Sequence, residues 1–279
     1  METKVSSATK EVIIGANRTV LIGERINPTG KKKLAEALRQ GDFEIVRLEA
    51  KQQVAAGADI LDVNVGTGGV DEVAMLPEVV KLLMAEVDVP LCFDSGDANA
   101  LEAALKVYKG KALVNSIKGT EHSLEQLIPL LKEYGAAVIA LPADERGIPS
   151  DADTRLQIID RIIERCTKQG LPLEDIVIDG LALSVGVDSK AGIVTLETIR
   201  RVKEKYGVNI TLGASNISFS LPGREVINSV YLGMAIEAGV TCPVVDVAKV
   251  RKSIMATDLL LGLDRFAKRY LKYTRENQE

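Results

Sequence analysis

The sequence predicts a single (β/α)8 barrel, in which eight parallel strands alternate with outer helices. Its 279 residues suit one barrel, a fold that takes about 250 residues. Eight short runs rich in Val, Ile and Leu recur along the chain with helical patterns between them. Such continuous apolar runs are typical of parallel strands that are covered on both faces. Since eight strand and helix units close into a barrel, this fold class accounts for the whole pattern.

The eight predicted strands succeed one another at the spacing of strand, loop, helix and loop units. Their apolar runs begin at Thr19, Ala58, Val89, Lys111, Ala136, Asp175, Asn209 and Cys242. No repeat, low-complexity stretch or linker interrupts this series. We therefore expect one domain that comprises residues 1–279.

The segments between the runs predict the outer helices. Residues 151–170 repeat apolar side chains at helical spacing, open on Asp and Thr capping candidates and end on Gly170. Residues 34–57 also repeat apolar side chains at helical spacing, and this pattern stops at Gly57. In that segment the residues at helical spacings are Leu34, Leu38, Ile45, Leu48 and Val54.

Both ends of the chain carry further predictions. EVIIGANRT, residues 11–19, combines a short apolar run with a Gly-Ala-Asn turn and predicts a hairpin that closes the barrel floor. RFAKRYLKYTRENQE, residues 265–279, predicts a basic amphipathic helix that is solvated and frays at its end.

Composition excludes several classes of protein. Lys and Arg total 35 against 39 Asp and Glu, a net charge of −4, so the basic surface that binds nucleic acid is not expected. The apolar runs are too short to span a membrane and METKVSSATK lacks a signal-peptide core, so we expect a cytoplasmic protein. Three cysteines and a single histidine, His122, are too few for a Cys/His zinc site and argue against a Ser-His-Asp triad, so no metal site is predicted.

Polar side chains end seven of the eight apolar runs. They are Glu24, Arg25 and Asn27; Asp62 and Asn64; Asp94 and Ser95; Asn115 and Ser116; Asp179; Ser215 and Asn216; and Asp246. Barrel chemistry takes place at these carboxyl ends, and unpaired polar groups in an apolar site cost about 1–3 kcal/mol each. These groups must therefore satisfy one another, water or a ligand.

Carboxylates and carboxamides dominate this set, which suits a polar heterocycle. A pterin presents an N3–H and an exocyclic amino group side by side, so one carboxylate can accept both hydrogen bonds. Asparagines, which both donate and accept, can bond the ring edge that carries donors and acceptors. The same residues could instead bind a sugar or a hard metal ion.

Five motifs at these strand ends carry a resemblance that extends over nearly the whole chain. They are LIGERINPTG (21–30), GADILDVNVG (57–66), FDSGDANALEAAL (93–105), LVNSI (113–117) and GASNISFSLPGREVIN (213–228). In this order the motifs resemble those of the pterin-binding barrel proteins and, among them, the methyltetrahydrofolate:corrinoid methyltransferases. IGERINPTG and SNISFS also look like the folate-binding module of cobalamin-dependent methionine synthase.

The resemblance implies a site and a reaction. It implies that Asp94, Asn115 and Asp179 hold the pterin ring of tetrahydrofolate or 5-methyltetrahydrofolate, and that Asn216 lies near N5 as the catalytic residue. Asp62 and Asn64 would complete the polar floor, and Gly213, Ser215 and Arg224 would line the adjoining loop. The implied reaction moves a methyl group between N5 and the cobalt of a corrinoid.

The resemblance also implies a transient corrinoid protein as partner and a homodimer. Cobalamin-binding modules of this pathway carry an Asp-x-His-x-x-Gly-type motif, whereas His122 stands in EHSL. The corrinoid is therefore expected on a separate polypeptide.

Four alternatives stay open on the residues alone. Dihydropteroate synthase shares the fold, but Glu24 to Asn27 replace its usual first-strand loop and no histidine follows His122. A folate-binding protein without turnover could use the same residues. Within the site, Asp62 and Asn64 could be internal barrel hydrogen bonds, and Glu24 and Arg25 could pair as a buried salt bridge instead of contacting substrate.

Overall fold

The computed structural model describes residues 1–276 and confirms the predicted barrel. A short antiparallel hairpin comes first, formed by β1 (Thr3–Ser6) and β2 (Glu11–Ile14). The eight strands of the barrel wall are β3 (Ile22–Ile26), β4 (Ile60–Val63), β5 (Leu91–Asp94), β6 (Leu113–Lys118), β7 (Ala137–Leu141), β8 (Ile176–Asp179), β9 (Ile210–Thr211) and β10 (Val244–Val245).

Each wall strand pairs in parallel with its neighbours, in the order β10, β3, β4, β5, β6, β7, β8, β9. Between β9 and β10 the barrel closes through single hydrogen bonds, among them one from Val244 N to Leu212 O at 3.0 Å. Since all eight strands run in the same direction, their carboxyl ends meet at one rim of the barrel.

The helices within residues 1–276 cover the outside of the wall. They are α1 (Lys32–Gln40), α2 (Glu44–Ala56), α3 (Glu72–Glu86), α4 (Ala98–Val107), α5 (Glu121–Tyr134), α6 (Ala152–Lys168), α7 (Ala191–Tyr206), α8 (Arg224–Ala238), α9 (Val247–Leu260) and α10 (Lys268–Glu276). Asp151 caps α6 as predicted, accepting the Thr154 backbone N–H at 2.7 Å. None of these helices is long and apolar enough to cross a bilayer.

The segment before β4 differs from the continuous helical pattern that the sequence predicts. Gly41, at a φ of 67°, ends α1, and α2 starts afresh at Glu44. The break rotates the second helix, so that Leu48, although part of the apolar pattern, is 55% exposed. Gly57 ends α2 in the left-handed conformation, as expected.

The hairpin closes the barrel floor, as predicted, but its turn lies elsewhere. Residues 7–10 connect the two strands, whereas Gly15, Ala16 and Asn17 follow β2. The polar composition of residues 3–6 hid the first strand, although its side chains alternate between buried and exposed. Val5, Val12 and Ile14 pack against the residues that fill the barrel interior, namely Val20, Ile22, Ile60, Cys92, Leu113, Ala137, Ile139, Val177 and Cys242.

A second, larger apolar layer lies between the wall and the outer helices. The final helix α10 stays outside this layer and has no buried residue, which agrees with the predicted solvated basic helix. The predicted frayed end falls on residues 277–279, which lie outside the described residues.

Candidate functional site

A cavity of about 710 Å³ opens at the carboxyl ends of the barrel strands. Eight of the nine predicted site residues line it: Asp62, Asp94, Asn115, Asp179, Gly213, Ser215, Asn216 and Arg224. Asn64, the ninth, does not line the cavity. The cavity also includes polar side chains that were not assigned to the site from sequence, among them Asn27, Lys31, Lys118, Asn228 and Lys249.

One side of the cavity is an acid–amide network formed by Asp62, Asn64, Asp94 and Asn115. Strand register places Asp94 and Asn115 beside each other at the ends of β5 and β6. Asn64 Nδ2 donates to Asp94 Oδ2 at 3.0 Å, and Asn115 Nδ2 donates to Asp62 Oδ1 at 3.2 Å. Asn64 therefore supports Asp94 from behind, and its own oxygen accepts the Gly66 backbone N–H at 2.8 Å.

The two carboxyl groups of this network compete for ionisation. Burial, followed by the negative charge of Asp94, raises the pKa of Asp62 to about 8. Burial also raises the pKa of Asp94, against the hydrogen bond from Asn64, and the charge of Glu72 adds to the rise. Asp62 therefore keeps its proton at neutral pH.

Asp179 stands across the cavity at the end of β8. Its Oδ1 accepts the Leu181 backbone N–H at 2.7 Å, so the turn that follows the strand orients the carboxylate. Burial raises the pKa of Asp179 to about 6, against the Leu181 hydrogen bond and the positive charge of Arg155. At neutral pH Asp179 is thus an ionised acceptor inside the cavity.

Arg155 lies behind Asp179 and was missed from the sequence. Its side chain is completely buried in α6 and contacts the turn at Leu181. A signal was present, because Arg155 occupies a position on the predicted apolar stripe of that helix, next to Leu156.

A short 3-10 helix of residues 214–218 follows β9, across the barrel from Asp94, and presents Asn216. Ser215 Oγ donates to Glu24 Oε1 at 2.8 Å, which ties this segment to β3. Arg224 donates to the Ser215 carbonyl at 2.8 Å and to Ser218 Oγ at 3.0 Å, so it braces the segment from the start of α8. Asn216 itself is exposed at the cavity. A Cβ at Gly213 would lie 3.1 Å from Asn216 Nδ2, so the glycine leaves room for this amide.

The alternative that Glu24 and Arg25 pair with each other is wrong. Arg25 Nη2 contacts Glu49 Oε1 at 2.9 Å, because side chains alternate along β3 and Arg25 points toward α2. Glu24 faces the cavity, where burial raises its pKa, against the hydrogen bond from Ser215. Lys31 closes this edge, with Nζ donating to the Arg25 carbonyl at 2.7 Å. Burial lowers the pKa of Lys31.

The histidine and cysteines lie away from this chemistry. His122 is exposed in the first turn of α5, and the three cysteines are buried free thiols. Within residues 1–276, no cluster of three or more His, Cys, Asp or Glu side chains could hold a metal ion.

Known proteins resemble this chain along most of its length. A family model described as pterin binding enzyme matches residues 23–246. A methylcorrinoid:tetrahydrofolate methyltransferase of Eubacterium limosum is 30% identical over 267 residues, covering 93% of this chain and 97% of that protein. A methionine synthase of Mycobacterium tuberculosis is 34% identical over 263 residues, covering 89% of this chain but 22% of that much longer protein.

Solved structures of similar fold include dihydropteroate synthases. One from Yersinia pestis superposes with a TM-score of 0.70 at 17% identity and covers 94% of this chain and 100% of that chain. Another, from Xanthomonas albilineans in complex with 7,8-dihydropteroate, has a TM-score of 0.67 at 18% identity and covers 89% of this chain and 95% of that chain. At these identities the likeness concerns the fold.

Proposed function

We propose, starting from the fact that the chain belongs to the family of pterin binding enzymes, that it transfers a methyl group between N5 of tetrahydrofolate and the cobalt of a corrinoid held by a separate protein. The Eubacterium limosum relative, whose name states a reaction between these two carriers, matches along nearly its full length. The methionine synthases share only the part of their chain that this barrel covers.

The single observation that carries the proposal is the set of polar atoms left free in the cavity. Asp179 uses Oδ1 for Leu181, Asp94 uses Oδ2 for Asn64, and Asn115 uses its Nδ2 for Asp62. Each of the three side chains thus keeps an acceptor oxygen for a ligand. A tetrahydropterin offers matching donors in its amino group and ring N–H groups.

Asn216 suits the reacting end of the ring because it lies at the cavity on the segment after β9, across the barrel from Asp94 at the end of β5. In the forward direction the N5–CH₃ bond breaks, a cobalt–carbon bond forms, and N5 must carry a proton for the amine to leave. Its amide can accept a hydrogen bond from protonated N5 while Ser215 and Arg224 hold the segment in place. We assign this transition-state role to Asn216, with the proton supplied by solvent.

The proposal includes the assembly of the protein. Residues 1–279 form one barrel domain, which works in the cytoplasm as a homodimer and meets the corrinoid protein transiently at the open rim. Val226, Val230 and Met234, an exposed apolar stripe on α8, support the homodimer. Sedimentation of the protein tests this part, and a monomer at micromolar concentration would contradict it.

Methyl transfer is tested by incubating the purified protein with 5-methyltetrahydrofolate and cob(I)alamin. The expected result is methylcobalamin absorbance that depends on the protein, with faster turnover when a reduced corrinoid protein replaces the free cofactor. Copurification of a stoichiometric corrinoid, or methylation of homocysteine without cobalamin, would contradict the proposal. Condensation of aminobenzoate with a pterin pyrophosphate would instead identify a dihydropteroate synthase-like enzyme, and folate binding without either reaction would identify a binding protein.

A further inference from the structure

Arg155 is a buried arginine whose guanidinium bonds only uncharged oxygen atoms. Its Nε donates to Pro149 O at 3.1 Å, and its Nη1 donates to Gly180 O at 3.3 Å, Leu181 O at 3.0 Å and Thr195 Oγ1 at 3.2 Å. The side chain has 0% exposure. A buried cation is tolerated only when such hydrogen bonds replace water, so this arrangement ties Arg155 closely to its surroundings.

Two of the oxygens that Arg155 bonds belong to the turn that orients Asp179. Leu181 in this turn has a φ of 58°, the left-handed region that a leucine rarely adopts. Its carbonyl accepts from Arg155 and also from Thr195 Oγ1, at 2.9 Å, while its N–H donates to Asp179 Oδ1. Arg155 and Thr195 thus hold Leu181 by its carbonyl, and the N–H of the same residue orients the Asp179 carboxylate.

Arg155 also acts on Asp179 through charge. Burial disfavours the ionised form of Asp179, and the Leu181 N–H and the positive charge of Arg155 oppose this effect. The other titratable groups whose charge couples to Asp179 are Tyr231 on α8 and Cys242 before β10, and burial raises the pKa of both to about 12. Both are therefore neutral near pH 7, which leaves Arg155 as the charge that favours the Asp179 carboxylate.

We propose that Arg155 is a positioning residue, which holds the Leu181 turn so that Asp179 points into the cavity and remains ionised when the pterin ring binds. The inference rests on the proposed function, because it assigns Arg155 to the recognition of the same ring. Asp179 contacts the ligand and Arg155 acts through it.

The test measures the affinity of the full-length protein for 5-methyltetrahydrofolate between about pH 5.5 and 8.5. In the wild type, binding should weaken as the pH falls through the Asp179 midpoint near 6. Arg155→Met should lower the affinity at the high-pH plateau by about tenfold and move the midpoint upward by about one pH unit. Arg155→Lys keeps the charge but cannot bond all of these oxygens, so the plateau should fall while the midpoint stays near that of the wild type.

Two controls separate positioning from a general effect on the fold. Arg161→Met removes another arginine of α6, one that pairs with Glu121 at 2.6 Å on the surface, and should change neither plateau nor midpoint. In an Asp179→Asn background, Arg155→Met should no longer move any midpoint. If Arg155→Met does not fold, Arg155→Lys decides, and a wild-type plateau in that variant overturns the inference.

Two outcomes of the main experiment contradict the inference. A folded Arg155→Met protein with the wild-type plateau and midpoint overturns it, and so does an equal loss of affinity at every pH with an unmoved midpoint. The proposed function fails separately. A wild-type protein that binds 5-methyltetrahydrofolate with the expected midpoint but transfers no methyl group refutes the transferase activity and leaves the role of Arg155 intact.

Discussion

Asp179→Asn is expected to weaken folate binding severely. The oxygen of the introduced amide can still accept the Leu181 N–H. An NH₂ group replaces the second carboxylate oxygen, however, and would face the donors of the pterin ring. The substitution removes two charge-assisted hydrogen bonds of about 1.5–3 kcal/mol each. Because each 1.4 kcal/mol is about tenfold in affinity, the dissociation constant should rise by more than about 100-fold.

The same substitution is expected to stabilise the protein in the absence of ligand. Burial raises the pKa of Asp179 from 3.8 to about 6, so the folded state holds this proton more tightly than the unfolded state. Asp179 therefore lowers the free energy of unfolding as the pH rises between these two values, and the loss persists at neutral pH. About two pH units at about 1.4 kcal/mol each amount to at most about 3 kcal/mol, which Asp179→Asn should restore above pH 6 and not below pH 4.

Calorimetric titration with 5-methyltetrahydrofolate and urea unfolding at acid and neutral pH measure these two effects. Asp153→Asn is a matched control, because Asp153 is an exposed carboxylate on α6 that pairs with Arg201 at 2.8 Å. It should change neither the affinity nor the pH dependence of unfolding. Unchanged affinity in a folded Asp179→Asn protein would refute the pterin contact, and unchanged stability at neutral pH would refute the argument from burial.

Three further substitutions test the rest of the site. Asn216→Ala should lower kcat by about 10²-fold and weaken ground-state folate binding much less, since the Asn216 hydrogen bond strengthens as N5 becomes protonated. Steady-state kinetics and calorimetric titration measure the two losses. Equal losses in kcat and in affinity would show that Asn216 is only a binding residue. Gly213→Ala places a methyl group 3.1 Å from Asn216 Nδ2 and should reduce kcat without changing the unfolding midpoint, whereas unaltered kinetics would show that the amide has room to move. Burial raises the pKa of Asp62 to about 8, so its carboxyl group lowers the free energy of unfolding as the pH rises from about 4 to 8. Asp62→Asn should flatten that dependence in urea titrations, and an unchanged slope would contradict it.

Much of the candidate site could be predicted because consecutive strands of a parallel barrel lie next to each other and end at the same rim. Asp94 and Asn115 each end an apolar run, and the register of β5 and β6 brings them side by side. Arg155 could not be assigned in the same way, since its partners at Gly180 and Leu181 belong to a loop with a left-handed turn. No residue pattern in the sequence indicates that turn. The partner of Arg25 could not be assigned either, because its ion pair with Glu49 depends on how α2 packs against β3.

Sequence patterns alone are enough to predict the eight wall strands, the floor hairpin as an element, and the row of polar residues at the strand ends. These features follow from local patterns of apolar and polar residues, which can be recognised without knowledge of long-range contacts. Two properties depend on the packed fold: which oxygens of Asp94, Asn115 and Asp179 remain free for a ligand, and which carboxyl group keeps its proton. Hydrogen-bond partners and burial are properties of packed neighbours from distant segments, so the ionisation and orientation of the site exist only once the barrel has closed.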